Sequence, residues 1–301
     1  MSTQAPARPR SAGWAGRAWP WLVRLLWLAA PFTVGEALAQ ALADAGTGVQ
    51  AVAAVGSWAA WASGLAATFV AHPVSLTTLR VLAPAALAAA GATALAGAGT
   101  WPLALAWAGV AAGATFAPGW GTWCVNGPAY PNERRLLLRP PAGLLAGPLA
   151  LAWALVVAGA AAGPLLAGTG RWLPALPAAA VGWPVAVVLA RALHLLARRW
   201  VVFVPAGMVV HDPMTLDAPV LLARGAIARL GPAPAGTEAL DLTQRTPGLV
   251  LEVRLDAPVD LVLVRPGSRS VETVSATGLL LAPTRPGALL EEARRRRIAV
   301  G

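Results

Sequence analysis

Residues 191–211 read Arg191-Ala192-Leu193-His194-Leu195-Leu196-Ala197-Arg198-Arg199-Trp200-Val201-Val202-Phe203-Val204-Pro205-Ala206-Gly207-Met208-Val209-Val210-His211, and this stretch decides the fold. Up to Ala197 it is the end of an apolar run, with Arg191, His194 and Arg198 at i, i+3 and i+7 on one helical face. From Trp200 the period changes. Residues 201–204 and 208–211 are short β-branched and aromatic runs joined by Pro205-Ala206-Gly207, a hairpin pattern. A helix therefore gives way to a sheet within a few residues.

The two sides of this change differ in composition. The 301-residue chain is 57% hydrophobic and 12% charged, with a mean hydropathy of +0.63, whereas a soluble domain carries about 25% charged residues. An ordinary soluble protein is excluded. Residues 1–200 hold 12 Arg against Glu36, Asp44 and Glu133, a balance of +9, and residues 201–301 hold 11 Arg against 10 acids, a balance of +1. All 14 Trp lie at or before Trp200. An apolar region bordered by Arg and Trp is the pattern of a membrane bundle; a nucleic-acid binder would cluster its positive charge on a soluble face, so no nucleic-acid partner is expected. The 23 basic residues are all Arg, which alongside 31 Gly and 27 Pro reads as GC-rich codon usage rather than guanidinium chemistry. The single Cys124 has no disulfide partner within the chain and reads as a small apolar residue.

A helix needs about 20 apolar residues to cross a hydrocarbon core of about 30 Å. Six stretches qualify, at 20–43, 51–71, 77–97, 100–118, 142–167 and 172–197. The soft boundary at Gly97-Ala98-Gly99-Thr100 leaves five or seven open. Positive residues near span ends stay cytoplasmic. With the N-terminus inside, Arg8, Arg10, Arg17, Arg80, Arg134, Arg135, Arg139, Arg191, Arg198 and Arg199 fall on the cytoplasmic side and only Arg171 on the other. The domain plan is a basic cytoplasmic tail at 1–19, a six-helix transmembrane domain at 20–197 and a cytoplasmic β domain at 198–301, in a bacterial inner membrane. A rival reading takes the first segment as a signal peptide ending in Ala37-Leu38-Ala39 or Ala41-Leu42-Ala43; Arg24, Pro31 and Glu36 within the run argue against it.

Ionisable groups inside spans are functional candidates because burying charge in lipid is costly. Glu36, with Gln40 one turn on and beyond a break expected at Pro31, is either a proton or cation site or an interfacial group hydrogen-bonded to Gln40. Arg191, His194, Arg198 and Arg199 suit contact with anionic headgroups. His72, in His72-Pro73-Val74-Ser75, reads as a turn residue. Three GxxxG pairs, at Gly109/Gly113, Gly143/Gly147 and Gly159/Gly163, are about what this glycine content gives by chance. The connection at 119–139 is the most distinctive loop. It carries Trp120, Trp123, Asn126, Tyr130, Glu133, Arg134, Arg135 and Arg139, and reads either as an interfacial segment or as a recognition loop.

Beyond Trp200, further strands are expected at 220–222, 226–230, 239–243, 249–255, 259–264, 271–274 and 278–281, with a turn at Asp256-Ala257-Pro258 and a final helix from about Pro286. In that helix Glu291 and Glu292 precede Arg294 to Arg297, which suits the helix dipole and gives Glu-to-Arg pairs; the string also matches the EExxxR of an intramembrane protease family, a match rejected because the helix is polar. The Arg198-to-Pro205 opening, the Ala282-Pro283-Thr284-Arg285-Pro286 approach to the helix, and about seven antiparallel strands between them resemble the bacterial pleckstrin-homology-like domains attached to membrane proteins, over roughly residues 198–298. The resemblance implies protein contact or self-association; the uncharged Pro205-Ala206-Gly207 hairpin and the His211-Asp212 that follows depart from the phosphoinositide-binding versions. The sequence thus predicts a non-enzymatic polytopic inner-membrane protein presenting a binding or assembly module, with no cofactor or metal. The alternatives are a small transporter or channel using Glu36 and Gln40, and a membrane enzyme drawing on His72, His194 and the 119–139 loop.

Overall fold

The structure, a computed structural model, describes residues 14–264 and 271–301; Arg8 and Arg10 of the basic tail lie outside the described residues. Helix α1 (Trp14–Leu28) is followed by a single 3-10 turn at Ala30–Phe32 and by α2 (Val34–Ala41). Then come α3 (Thr47–Phe69), α4 (Pro73–Leu95), α5 (Trp101–Phe116), α6 (Pro118–Asn126), the short strand β1 (Arg134–Leu137) and the one-turn helix α7 (Ala142–Leu145). Helices α8 (Pro148–Gly168) and α9 (Trp172–Leu196) lead into the sheets. Five stretches are long and apolar enough to cross a membrane, the first being Ala18–Ala41 across its break, or six if the bent pair α5–α6 is one span. That pair turns by 52°. Ala117 is extended, as a residue before proline prefers, and Pro118 has no N–H with which to continue α5. The fifth apolar stretch, expected from residue 142, begins as a full helix only at Pro148, after Gly147 at φ +146°.

The break at Pro31 is satisfied by tryptophans. Proline removes the N–H that would close a helical bond onto the Trp27 carbonyl, and the Trp61 indole of α3 donates to that carbonyl at 3.0 Å, while Trp27 donates to the Trp61 carbonyl at 2.8 Å. Trp107 donates to Leu26 O (2.9 Å), Trp19 to Ala114 O (3.2 Å) and Trp153 to Val81 O (3.0 Å). Five of the tryptophans that read as border residues are therefore staples between helices. Gly64 leaves room for the Trp27 ring, which a Cβ there would meet at 2.2 Å.

After α9 the chain forms β2 (Trp200–Val204), β3 (Gly207–His211), β4 (Val220–Ala223), β5 (Ile227–Pro232), β6 (Leu240–Asp241), β7 (Leu251–Val264), β8 (Val271–Leu281) and α10 (Pro286–Arg295). The expected 205–207 hairpin is present, pairing Val204 with Gly207 and Trp200 with His211. Two four-stranded sheets result, ordered β1-β2-β3-β4 and β5-β7-β8-β6. Four expectations are corrected. Asp256-Ala257-Pro258 is no turn: 251–264 is one strand with an irregularity between Arg254 and Val259, where a proline lacking an N–H is tolerated. Residues 271–281 are likewise one strand, and β6 pairs parallel with β8 rather than antiparallel. Part of the 119–139 connection is a strand, β1, antiparallel to β2 with Arg134 opposite Phe203 and Leu137 opposite Trp200.

Of the three GxxxG pairs, one lies in a close helix contact. A Cβ on Gly159 would lie 2.5 Å from the Gly182 carbonyl oxygen and one on Gly163 2.7 Å from Ala179 Cβ, so α8 and α9 pack backbone to backbone. A Cβ on Gly113, Gly143 or Gly147 would meet nothing within 4 Å, and one on Gly109 only Leu87 at 4.0 Å. Overpacking costs about 1–3 kcal/mol, so Gly159→Leu should lower the unfolding temperature of the detergent-solubilised protein clearly, and Gly143→Leu should leave it nearly unchanged.

Candidate functional site

Strand β1 alternates as a strand must, and its two faces enter different cores. Leu136 and Leu138 pack in the sheet-domain core with Val201, Phe203, Leu281 and Leu289. Leu137 packs in the helical core with Trp120, Cys124 and Ala197. A Cβ on Gly121 of α6 would approach Leu137 Cδ1 to 2.7 Å, so that glycine makes room for the strand. Asn126, the last residue of α6, holds β1 as a neighbouring strand would: its Oδ1 accepts from Arg135 N and its Nδ2 donates to Arg135 O, both at 2.9 Å. A Cβ on Gly127 would come within 2.0 Å of the Ala71 carbonyl oxygen, which pins this end of α6 to the α3–α4 connection.

Arg199 closes the joint. Its side chain is 1% exposed, and Nε and Nη2 donate to the two carboxylate oxygens of Asp212 at 2.8 and 2.7 Å while Nη1 donates to Arg139 O at 2.8 Å. The sequence places Arg199 among the residues touching headgroups; burial in this bidentate pair turns it inward. Leu138 N donates to Arg199 O, Arg139 N to Ala282 O and Thr284 N to Leu137 O, so the segment from β1 onward is tied at both sides. The Arg139 guanidinium donates to the carbonyls of Pro247 and Leu249, and Thr246 Oγ1 to that of Pro140.

The other residues singled out in 119–139 also sit at this joint. Trp123 stacks on Trp120 at 4.8 Å between ring centres. Arg24 donates to Thr68 O and lies over Trp21, Phe69 and Trp123 at 4.7, 4.9 and 5.8 Å. Arg135 pairs with Glu133 at 3.2 Å and lies 5.3 Å over Trp200, whose other neighbour is the His211 ring at 5.2 Å. Burial pushes the His211 imidazole below its ordinary range, Arg198 and Arg135 add to this, and Asp212 opposes it. Tyr130 alone is exposed. From the far end of the chain, Glu292 of α10 accepts from Arg295 and Arg296, and Arg296 donates on to Asn132 O. Burial pushes the Glu292 carboxyl up, but these arginines outweigh it and hold the group below its ordinary value of 4.5. The connection that reads as an interfacial segment or a recognition loop is held to the rest of the chain by these contacts, and the partners that sequence reasoning missed are Asp212, Glu292 and Arg296.

The remaining candidates lie elsewhere. Arg191 and Arg198 are exposed, while His194 Nδ1 is 2.8 Å from Thr77 Oγ1 beside a cleft of about 570 Å³ between α3, α4 and α9. His72, which reads as a turn residue, caps α4 by accepting from Val74 N. Gln40 donates to Glu36 at 3.1 Å, and its Oε1 accepts from Thr100 N and Oγ1. Glu36 lines a cavity of about 630 Å³. Among the described residues no three His, Cys, Asp or Glu side chains converge to hold a metal ion. Compared with protein-family models, curated proteins and solved structures, the chain matches none.

Removing one partner of a buried pair leaves an uncompensated charge, at about 3–5 kcal/mol, whereas replacing both with apolar groups is often neutral. Asp212→Ala should therefore destabilise the chain strongly in chemical denaturation, and Arg199→Met/Asp212→Leu should recover most of the loss. The Glu292 carboxyl titrates lower in the folded than in the unfolded chain, so its stabilisation is present above the ordinary carboxylate value and lost as pH falls through the folded one. Between roughly pH 5 and pH 3, wild type should lose more thermal stability than Glu292→Gln.

Proposed function

We propose that the chain is a multi-pass inner-membrane protein, with six crossing segments counting α5–α6 as one, that presents the sheet domain to the cytoplasm as a pleckstrin-homology-like binding or assembly module without enzymatic activity. Lipid surroundings account for the helix surfaces: Leu95 and Leu173 are 92% and 90% exposed, and Trp172, Leu176 and Val181 point outward on α9. Helices apolar all round and left uncovered by protein belong in a bilayer. Arg134, Arg135, Arg139, Arg198 and Arg199 gather where the bundle meets the sheets and Arg171 lies at the opposite end of α9, which supports a cytoplasmic sheet domain. The exposed Arg191 and Arg198 at that end are the groups left to meet anionic headgroups.

The observation that carries the module reading is an open sheet edge. Strand β6 covers β8 only at Leu279 and Leu280, and among the described residues no strand lies on that side of 273–276. An uncovered edge offers backbone N–H and C=O groups to an added strand, from a second copy or a partner. The hairpin β2–β3, the two sheets and α10, with Leu289 and Ala293 in the core, support the pleckstrin-homology-like reading; β1, supplied from ahead of the last two long helices, is a departure from the pattern.

The one native cysteine, Cys124, is buried, so an added surface cysteine is the accessible thiol. With a short bismaleimide on intact membranes, Thr273→Cys should give a crosslinked species and Glu291→Cys, on exposed α10 surface, should not. Equal or absent crosslinking at both positions would contradict the edge as the contact between copies.

A further inference from the structure

The cavity beside Glu36 is a built pocket with its own chemistry, separate from the sheet module. It lies between the end of α1, α2, α3 and the middle of α4, and its volume of about 630 Å³ is within the roughly 300–1,000 Å³ of small-molecule sites. Its lining is mostly alanine and leucine, with Trp27, Trp58 and Trp61 among them. The Trp27 and Trp61 N–H groups are both committed to backbone carbonyls, so those rings are fixed in place. Trp58 meets Trp61 edge to face at 5.2 Å and is itself 56% exposed.

Glu36 is the only ionisable residue among those lining the cavity, and among the described residues no arginine or histidine pairs with it. Its orientation is set by a relay. Thr100 N is a donor, so the Gln40 oxygen must face Thr100 and the Gln40 amide N–H₂ must face Glu36. One carboxylate oxygen is thereby held; the residue is exposed and lines the cavity, where its charge is open to a ligand. A single negative charge beside indole faces and an apolar wall attracts a cation with an apolar body, since both carboxylate and ring quadrupole favour positive charge. A metal ion would need several more oxygen or nitrogen ligands than the cavity provides. Gln50 and Ser57 also line the cavity, but their donors are committed to the carbonyls of Leu42, Ala43 and Ala53, and an anion would meet the carboxylate with no cationic side chain in the lining to offset it.

We propose that this cavity binds a lipophilic organic monocation, its charge at Glu36 and its body between the tryptophans and the alanine face of α4. Gln40 positions the carboxylate. The assignment does not depend on the sheet-domain reading, and either can fail without the other.

The test uses the full-length protein in nanodiscs and radiolabelled tetraphenylphosphonium as the probe. Wild type should bind it saturably at one per chain. Glu36→Gln, which keeps a hydrogen-bonding group beside Gln40, should weaken binding about tenfold or more, as loss of a charged interaction does, and Glu36→Asp should retain part of it. Ala86→Trp, which fills the cavity, should abolish it with the elution volume unchanged. Competition on wild type alone needs no variant: neutral triphenylphosphine oxide should fail to displace the probe. Unchanged binding in Glu36→Gln, or equal displacement by the neutral oxide, would overturn the proposal and leave an apolar groove that takes any hydrophobic body.

Discussion

A guanidinium that is 1% exposed cannot be left without an anion, and the junction of this protein is arranged around satisfying one. Arg199 reaches Asp212 with two hydrogen bonds and the Arg139 carbonyl with a third. Desolvation offsets much of the attraction in such a pair, so its value lies less in net stability than in permitting few alternative geometries. The three residues come from the end of α9, the end of β3 and the segment after β1. Satisfying the arginine fixes all three at once.

Around that pair, the helical and sheet cores share an element. With Leu137 in one core and Leu136 and Leu138 in the other, β1 cannot leave either without opening both. Helix α9 runs into β2 with only Ala197, Arg198 and Arg199 between them, and α10 is tied through Arg296 to Asn132. Domains joined by a flexible linker move relative to each other by default; here no such linker exists at this junction. A strand added at the edge of β8 would act on a sheet domain whose cores are coupled to the ends of α6 and α9.

What the sequence discloses follows from how local each signal is. The hairpin at 205–207, the break at Pro31 and the start of α10 at Pro286 depend on neighbours a few residues apart, and all are legible. The β1–β2 pairing spans more than sixty residues and two long helices, so no local period marks it. A trace is present, because the unbroken Leu136-Leu137-Leu138 run is what a strand buried on both faces carries. The Arg199–Asp212 pair is also within reach: the hairpin register that sets Trp200 opposite His211 extends by one step to Arg199 opposite Asp212. Arg198 and Arg199 are identical letters, and only strand alternation sends one outward and the other in. Asp256-Ala257-Pro258 misleads because the same residues serve a turn and a strand irregularity. Glu36 and Gln40 are legible as a pair one helical turn apart, but the cavity beside them comes from helices distant in sequence.

Amide hydrogen exchange on the intact protein tests most directly whether β1 is a structural strand shared by two cores. Stably paired core strands exchange only on large-scale opening, while surface loops exchange almost freely. A peptide spanning 134–139 is predicted to be protected to about the same degree as one spanning 200–211. Rapid exchange across 134–139 with 200–211 still protected would contradict the shared strand, returning this segment to a surface loop and separating the two domains.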